Sequence, residues 1–161
     1  MRLGVLDVGS NTVHLQIMDA HIGAAPLPYQ SCKRVIRLAE FLEKNGEISP
    51  DGVSALIQAV KEVFEEASET EIDEVLAFAT SAIREASNSS DVIAQLEKEA
   101  GVTVEVLTGV EEAAFTFLAA RRWFGWHMGD LLVIDIGGGS LELACGGQEA
   151  PTFAQSYLLG A

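Results

Sequence analysis

Basic residues are scarce in this chain. Ten Lys and Arg stand against 24 Asp and Glu over 161 residues, a formal charge of −14. A field of that sign repels phosphate backbones and anionic lipid, so it disfavours generic binding to DNA, RNA or a membrane surface. A polyanion could be handled only at a local, preorganised site. Cysteine is nearly missing: Cys32 and Cys145 lie far apart in no metal-ligand pattern, which points to reduced thiols in a cytoplasm. The three histidines, His14, His21 and His127, have no metal-ligand spacing either and read as structural or solvated. No apolar run approaches the roughly 20 residues that span a bilayer. Asp7 and Gly9 interrupt the segment where a secretory signal would need unbroken apolar residues. The 48% apolar and 21% charged composition is that of a globular protein, one domain or one and a fraction.

Periodicity orders the rest. Leu3 to Met18 reads as strand, Gly9-Ser10-Asn11 turn, strand, and a third strand is expected between Gly23 and Leu38, a stretch that mixes Pro26, Pro28 and Tyr29 with Lys33, Arg34 and Arg37. Ser49-Pro50 starts a helix, with Val53, Leu56, Ile57, Val60, Val63 and Phe64 along one face. Val75 to Ala79 is a short apolar strand, expected to be buried on both faces. Thr80-Ser81 caps a short turn, and Ser89 or Ser90 opens a helix that stops at Gly101. Val102 to Leu107 reads as a strand and Gly109 to Phe124 as a helix. The aromatic group Phe115, Phe117, Trp123, Phe124 and Trp126 is assigned to core and inter-domain packing. Gly125 to Gly129 marks a boundary, which gives a first domain over 1–125 and the start of a second over 126–161. Three more strands follow, within 131–136, 141–145 and 153–159, with no later helix to cover them. A meander leading into strand–helix units predicts an α/β fold with a mixed sheet.

One pattern occurs twice. Val5-Leu6-Asp7-Val8-Gly9-Ser10 and Val133-Ile134-Asp135-Ile136-Gly137-Gly138 both read apolar-apolar-Asp-apolar-Gly-small. In each, a strand delivers an Asp to a Gly/Ser turn whose N–H groups can converge on an anion, and glycine serves where φ is positive or the backbone approaches a ligand. Asp7 or Asp135 beside bound phosphate requires a divalent cation between them, Mg²⁺ or Mn²⁺. The alternative for either turn alone is an ordinary tight hairpin whose Asp is a turn former. Neither turn is a Walker loop or a dinucleotide fingerprint.

Thr108 and Glu111 have capping-box spacing, which sets Glu112 about 100° around the helix. Glu112 could act as a general base on water; the alternative is that both glutamates complement the helix dipole. Arg84 could neutralise phosphate at the carboxyl edge of the sheet, or pair with Glu85 or Glu111.

Four ordered motifs, Asp7 to Thr12, Ala79 to Asn88, Gly109 to Ala113 and Asp135 to Ser140, together resemble the exopolyphosphatase/guanosine pentaphosphate phosphohydrolase family of the actin-like phosphotransferase superfamily. The resemblance implies two ribonuclease-H-like domains with the active site in a cleft where the two glycine turns face each other. It implies release of terminal phosphate from polyphosphate, or of the 5′ γ-phosphate from guanosine pentaphosphate. Carried onto this chain, it makes Glu112 the base, associates Asp135 and Glu142 with the metal, and gives phosphate contacts to Arg84. The turns Gly9-Ser10-Asn11 and Gly137-Gly138-Gly139-Ser140 would bind phosphate oxygens. Leu141 replaces the usual threonine of the second turn. The chain ends at Ala161, where a member would continue through its second domain, so the expectation is a fragment inactive alone and prone to self-association through uncovered strands. An ATPase or kinase of the same superfamily, and a non-catalytic polyphosphate or alarmone sensor, are the competing functions.

Overall fold

The computed structural model describes residues 1–23 and 27–160; Pro26 falls outside the described residues. They form two compact units, Met1–Val106 and Leu107–Ala161.

In the first unit, β1 (Arg2–Val8), β2 (Thr12–Asp19) and β3 (Gln30–Val35) make an antiparallel meander, and β4 (Glu74–Ala79) and β5 (Glu105–Val106) add parallel to β1. The sheet order is β3-β2-β1-β4-β5. Alternation decides the faces: Leu6, Val8, Val13, Leu15 and Ile17 all point into the core. Helix α1 (Pro50–Glu66) packs on β2 and β3 and against α3 (Ser89–Ala100). Its start follows from local chemistry, since the Ser49 hydroxyl accepts from the Gly52 N–H at 3.2 Å and Pro50 needs no donor.

Two expectations need correction in this unit, and a third element, the helix opened by Ser89, stands as expected. Strand β4 is not buried on both faces: Val75 and Leu76 are exposed, and only its later residues Ala77 and Ala79 reach the core. Strand β5 is two residues long rather than the run 102–107, because pairing to β4 covers only Phe78–Glu105 and Ala79–Val106. Helix α3 has Asn88 at its cap position, yet the Asn88 side chain does not cap it. The amide instead accepts from the Ile48 N–H and donates to the Ile48 carbonyl, both at 2.9 Å. That pair fastens the segment before α1 to the start of α3.

The second unit holds α4 (Gly109–Phe124) and the antiparallel sheet β6-β7-β8 (Leu131–Ile136, Leu141–Gly146, Phe153–Tyr157). The late strands are not left bare. Helix α4, read from sequence as belonging with the earlier elements, lies on this sheet and buries Ala113 and Phe117 against Ala144, with Leu131, Val133 and Ala154 alongside. Full burial of the Phe117 ring contributes about 1.5–3 kcal/mol. The opposite face stays uncovered: Leu132, Ile134 and Ile136 are 66%, 57% and 63% exposed. Among the five aromatics expected in packing, Phe117 alone is core; Phe115, Trp123, Phe124 and Trp126 are exposed. Arg121 is fully buried with no carboxylate against it among the described residues. Its guanidinium donates to the carbonyls of Gly125, Gly129 and Gly146 at 3.3, 2.7 and 2.8 Å. Those bonds tie the end of α4 to the start of β6 and the end of β7. No helix among the described residues is long and apolar enough to cross a membrane.

Replacing Asn88 by Ala removes both bonds to Ile48 and leaves two part-buried backbone groups unmet. A loss of about 1–3 kcal/mol is expected. Asn88→Asp keeps the acceptor but opposes the Ile48 carbonyl, so it rescues partly at best; thermal unfolding of both variants checks this.

Candidate functional site

At the carboxyl end of β1, the residues 9–12 form a tight loop closed by the Gly9 N–H donating to the Thr12 carbonyl at 2.9 Å. Residues 137–140 repeat it: the Gly137 N–H donates to the Ser140 carbonyl, also at 2.9 Å. The likeness extends to the glycines, where an added Cβ would meet the Thr12 or Ser140 carbonyl at 3.4 or 3.3 Å. Neither glycine has a positive φ; glycines of that kind lie elsewhere, at 23, 46, 101, 125 and 129. Close approach to the loop's own carbonyl, rather than a left-handed turn, is what the first glycine of each loop supplies.

The first loop is built into the sheet edge. Ser10 is buried, its hydroxyl shared with that of Ser81 at 2.9 Å, and the Thr80 N–H donates to the Val8 carbonyl at 3.2 Å. Helix α2 (Ser81–Arg84) therefore starts directly beside the loop. Ser81 was legible only as a cap; nothing local marks it as the partner of a residue 71 positions away. The Ile36 and Arg37 N–H groups donate to the Asn11 carbonyl at 2.9 and 3.1 Å, and the Leu38 N–H to the Ser10 carbonyl at 2.7 Å. Arg84, half-buried near this edge, makes the alternative contact named for it, an ion pair with Glu85 at 3.1 Å. Asp7 sits on the sheet face away from the core, in register with His14, which is in register with Lys33. Burial, then Lys33, holds the His14 imidazole below its ordinary value, while Asp7 pulls the other way. His14 also shares a hydrogen bond with the Ser31 hydroxyl at 2.7 Å, so it serves the sheet. Arg34 is engaged by Glu62 and Glu66.

The second unit gathers the carboxylates. Asp135 of β6 is in register with Glu142 of β7, and Glu142 with Ser156 of β8, so the three form one row across the face that α4 covers. Glu142 is 2% exposed and accepts from the Ser156 hydroxyl at 2.8 Å. From α4, the Thr116 hydroxyl donates to Asp135 at 3.4 Å. Arg121, five residues later on the helix, reaches the opposite end of the same sheet, so α4 runs antiparallel to β6. Glu112 lies four residues before Thr116, on the same helix face and about 6 Å nearer the loop end of the sheet. Glu111 is taken by the capping box: its carboxylate accepts from the Thr108 hydroxyl and N–H at 2.7 and 2.8 Å, while its own N–H donates to the Thr108 hydroxyl at 3.2 Å. The Thr108 hydroxyl first, and its N–H second, hold the Glu111 carboxyl below the usual carboxylate range. Ser140 of the loop is buried as well. Gly160 closes the assembly from the far end of the chain. A Cβ there would stand 2.5 Å from the Gly138 carbonyl oxygen and the Gly139 nitrogen, so only glycine lets that segment lie on the loop. Ser156, Thr116 and Gly160 escaped the sequence reading, because each earns its place through a long-range neighbour.

Two opposed carboxylates are hard oxygen donors, and Mg²⁺ is commonly held by one or two carboxylates together with substrate phosphates. Among the described residues no three His, Cys, Asp or Glu converge into a ready-made cage. Asp135 and Glu142 are the pair that could hold such a cation.

Two outcomes follow from this geometry. Ser156→Ala leaves the buried Glu142 carboxylate without its hydroxyl donor and should lower stability by about 1–3 kcal/mol; Ser156→Thr, which keeps the hydroxyl, should restore most of it. For Glu111, a depressed folded-state pKa means that its stabilisation is present above the unfolded value of about 4.3 and is lost as pH falls through the folded value. The unfolding temperature of Glu111→Gln should therefore lie below wild type at neutral pH, and the gap should close on acidification from about pH 4.3 downward.

Comparison with known proteins bears on the family and the fold. The model of the Ppx/GppA phosphatase family matches residues 19–161. A protein of Mycobacterium tuberculosis named Exopolyphosphatase 1 is 50% identical over 161 residues, all of this chain and 47% of that protein. One of Vibrio cholerae named guanosine-5′-triphosphate,3′-diphosphate pyrophosphatase is 29% identical over 141 residues, 88% of this chain and 28% of that protein. The chain thus spans about half the length of the curated relatives that it matches from end to end. The crystal structure of an exopolyphosphatase from Cytophaga hutchinsonii superposes with a TM-score of 0.87 at 29% identity, covering 99% of this chain and 51% of that one. The fold is the ribonuclease-H-like α/β fold of the actin-like ATPases, with a mixed sheet. With the family model covering most of its length, the chain belongs to the Ppx/GppA phosphatase family.

Proposed function

We propose that the full-length protein built on this chain is a metal-dependent phosphoanhydride hydrolase that releases terminal phosphate from inorganic polyphosphate. The observation that carries this reading is the acidic row of the second unit: Asp135 opposite Glu142, with Glu112 one helical turn beyond the Thr116–Asp135 contact. In this reading the two loops bind phosphate oxygens through Gly9, Ser10 and Asn11 and through Gly137, Gly138, Gly139 and Ser140, and Arg84 exchanges Glu85 for a phosphate. Glu112 takes a proton from water as the water oxygen attacks the terminal phosphorus, and the phosphoanhydride bond to the shortened chain breaks. Glu111 cannot share that task, since the capping box holds it. Asp135 and Glu142 would hold a Mg²⁺ or Mn²⁺, which supplies charge neutralisation at the phosphates. Asp7, exposed on its sheet face, is the further carboxylate assigned to metal.

Polyphosphate is preferred over guanosine pentaphosphate because the relative named for the first is 50% identical and the one named for the second 29%. Side-by-side hydrolysis of both substrates by the full-length protein, with ATP as the control for a nucleotide-dependent enzyme, tests that order. Glu112→Gln should lower kcat by about 10²–10⁴-fold and leave polyphosphate affinity within a few-fold of wild type. Equal turnover by the variant, or binding without turnover by the wild type, would replace the hydrolase with another base or with a sensor.

A further inference from the structure

Arg37 is the one non-glycine residue with a positive φ among the described residues, at φ 46 and ψ 58. A β-carbon crowds the following carbonyl in that region, so a side chain persists there only where the surroundings dictate the backbone. Here they do. Three successive N–H groups, from Ile36, Arg37 and Leu38, donate to the carbonyls of Asn11, Asn11 and Ser10. The strained residue is stapled to the two central residues of the first glycine loop.

Packing gives no reason for an arginine at this point. Its side chain is two-thirds exposed, and its guanidinium meets Glu40 at 3.4 Å, an exposed pair of the kind that contributes little. Glycine would adopt the same backbone without strain. A strained backbone that carries an exposed cation beside a phosphate loop, in a chain of net charge −14, is better explained by a ligand than by the fold. The neighbouring Arg34 is more firmly engaged, by two glutamates.

We infer that Arg37 is a substrate-binding residue of the first loop, its guanidinium leaving Glu40 for a phosphate of the bound polyanion. The inference rests on the reading of that loop as phosphate-binding. Unlike Glu112, it touches no reacting atom, so its loss acts on binding.

The test uses the full-length protein, tripolyphosphate as substrate, and thermal unfolding beside steady-state kinetics. Arg37→Gly should raise KM about 10-fold, as loss of a charge-assisted contact does. It should leave kcat within two-fold and the unfolding temperature unchanged or higher, because strain is relieved. Arg37→Lys should fall between, and Glu40→Gln should keep or lower KM. An unchanged KM in Arg37→Gly, while wild type hydrolyses tripolyphosphate normally, overturns this inference and leaves the proposed function standing. A fall in unfolding temperature with kcat and KM both impaired overturns it in favour of a structural staple. Failure of the wild type to bind or hydrolyse tripolyphosphate removes the proposed function, and this inference with it.

Discussion

Asp135 and Glu142 stand directly opposite one another across a hairpin, and Glu142 is almost completely withdrawn from water. Like charges in that position repel, and a buried carboxylate is costly unless paired and hydrogen-bonded. The structure supplies two hydroxyl donors, from Thr116 and Ser156, and no cationic side chain to either carboxylate among the described residues. Arg121, fully buried on the same helix, is spent on backbone carbonyls at the other end of the sheet. The carboxylate row and the buried Arg121 guanidinium thus lie at opposite ends of the second unit. The proposed chemistry places a divalent cation between these carboxylates and depends on it.

The repeated Asp-x-Gly pattern has turned out to be a repeat of loops more than of surroundings. Both loops close with the same hydrogen bond, and both use their first glycine for the same close approach to a carbonyl. The acids beside them differ. Asp135 lies under α4 in contact with Thr116, whereas Asp7 occupies the sheet face away from its unit's core, next to His14. An Asp one residue before the strand end points to whichever side its strand's alternation dictates, and what covers that side is decided elsewhere. The outer ties differ as well: Ile36 to Leu38 staple the first loop, and Gly160 lies on the second.

Of the site, Glu111 and Glu112 were separable from sequence because a capping box is a local device, complete within four residues. The roles of Ser81, Ser156 and Gly160 were not, since each depends on a partner that only strand register or chain return brings near. The same distinction explains the misread β4. An apolar run signals a strand but says nothing about how fully its two faces are covered, and Val75 and Leu76, on opposite faces, both stay partly exposed. It also explains the aromatic group, where helical spacing could not tell the covered Phe117 from the exposed Trp123.

What this sequence determined by itself is whatever closes over a few residues: period-two strands, the Ser49-Pro50 and Thr108 helix starts, the Gly101 stop and the two loops. Backbone hydrogen bonds and steric limits act at that range, and the side chains that satisfy them are adjacent in the chain. Tertiary structure alone decided that α4 lies on β6, β7 and β8, that Asp135, Glu142 and Ser156 form a single row, and that Arg37 is held left-handed against Asn11. Those features come from burial and pairing between distant segments, where the free energy of each contact depends on partners that no local pattern names.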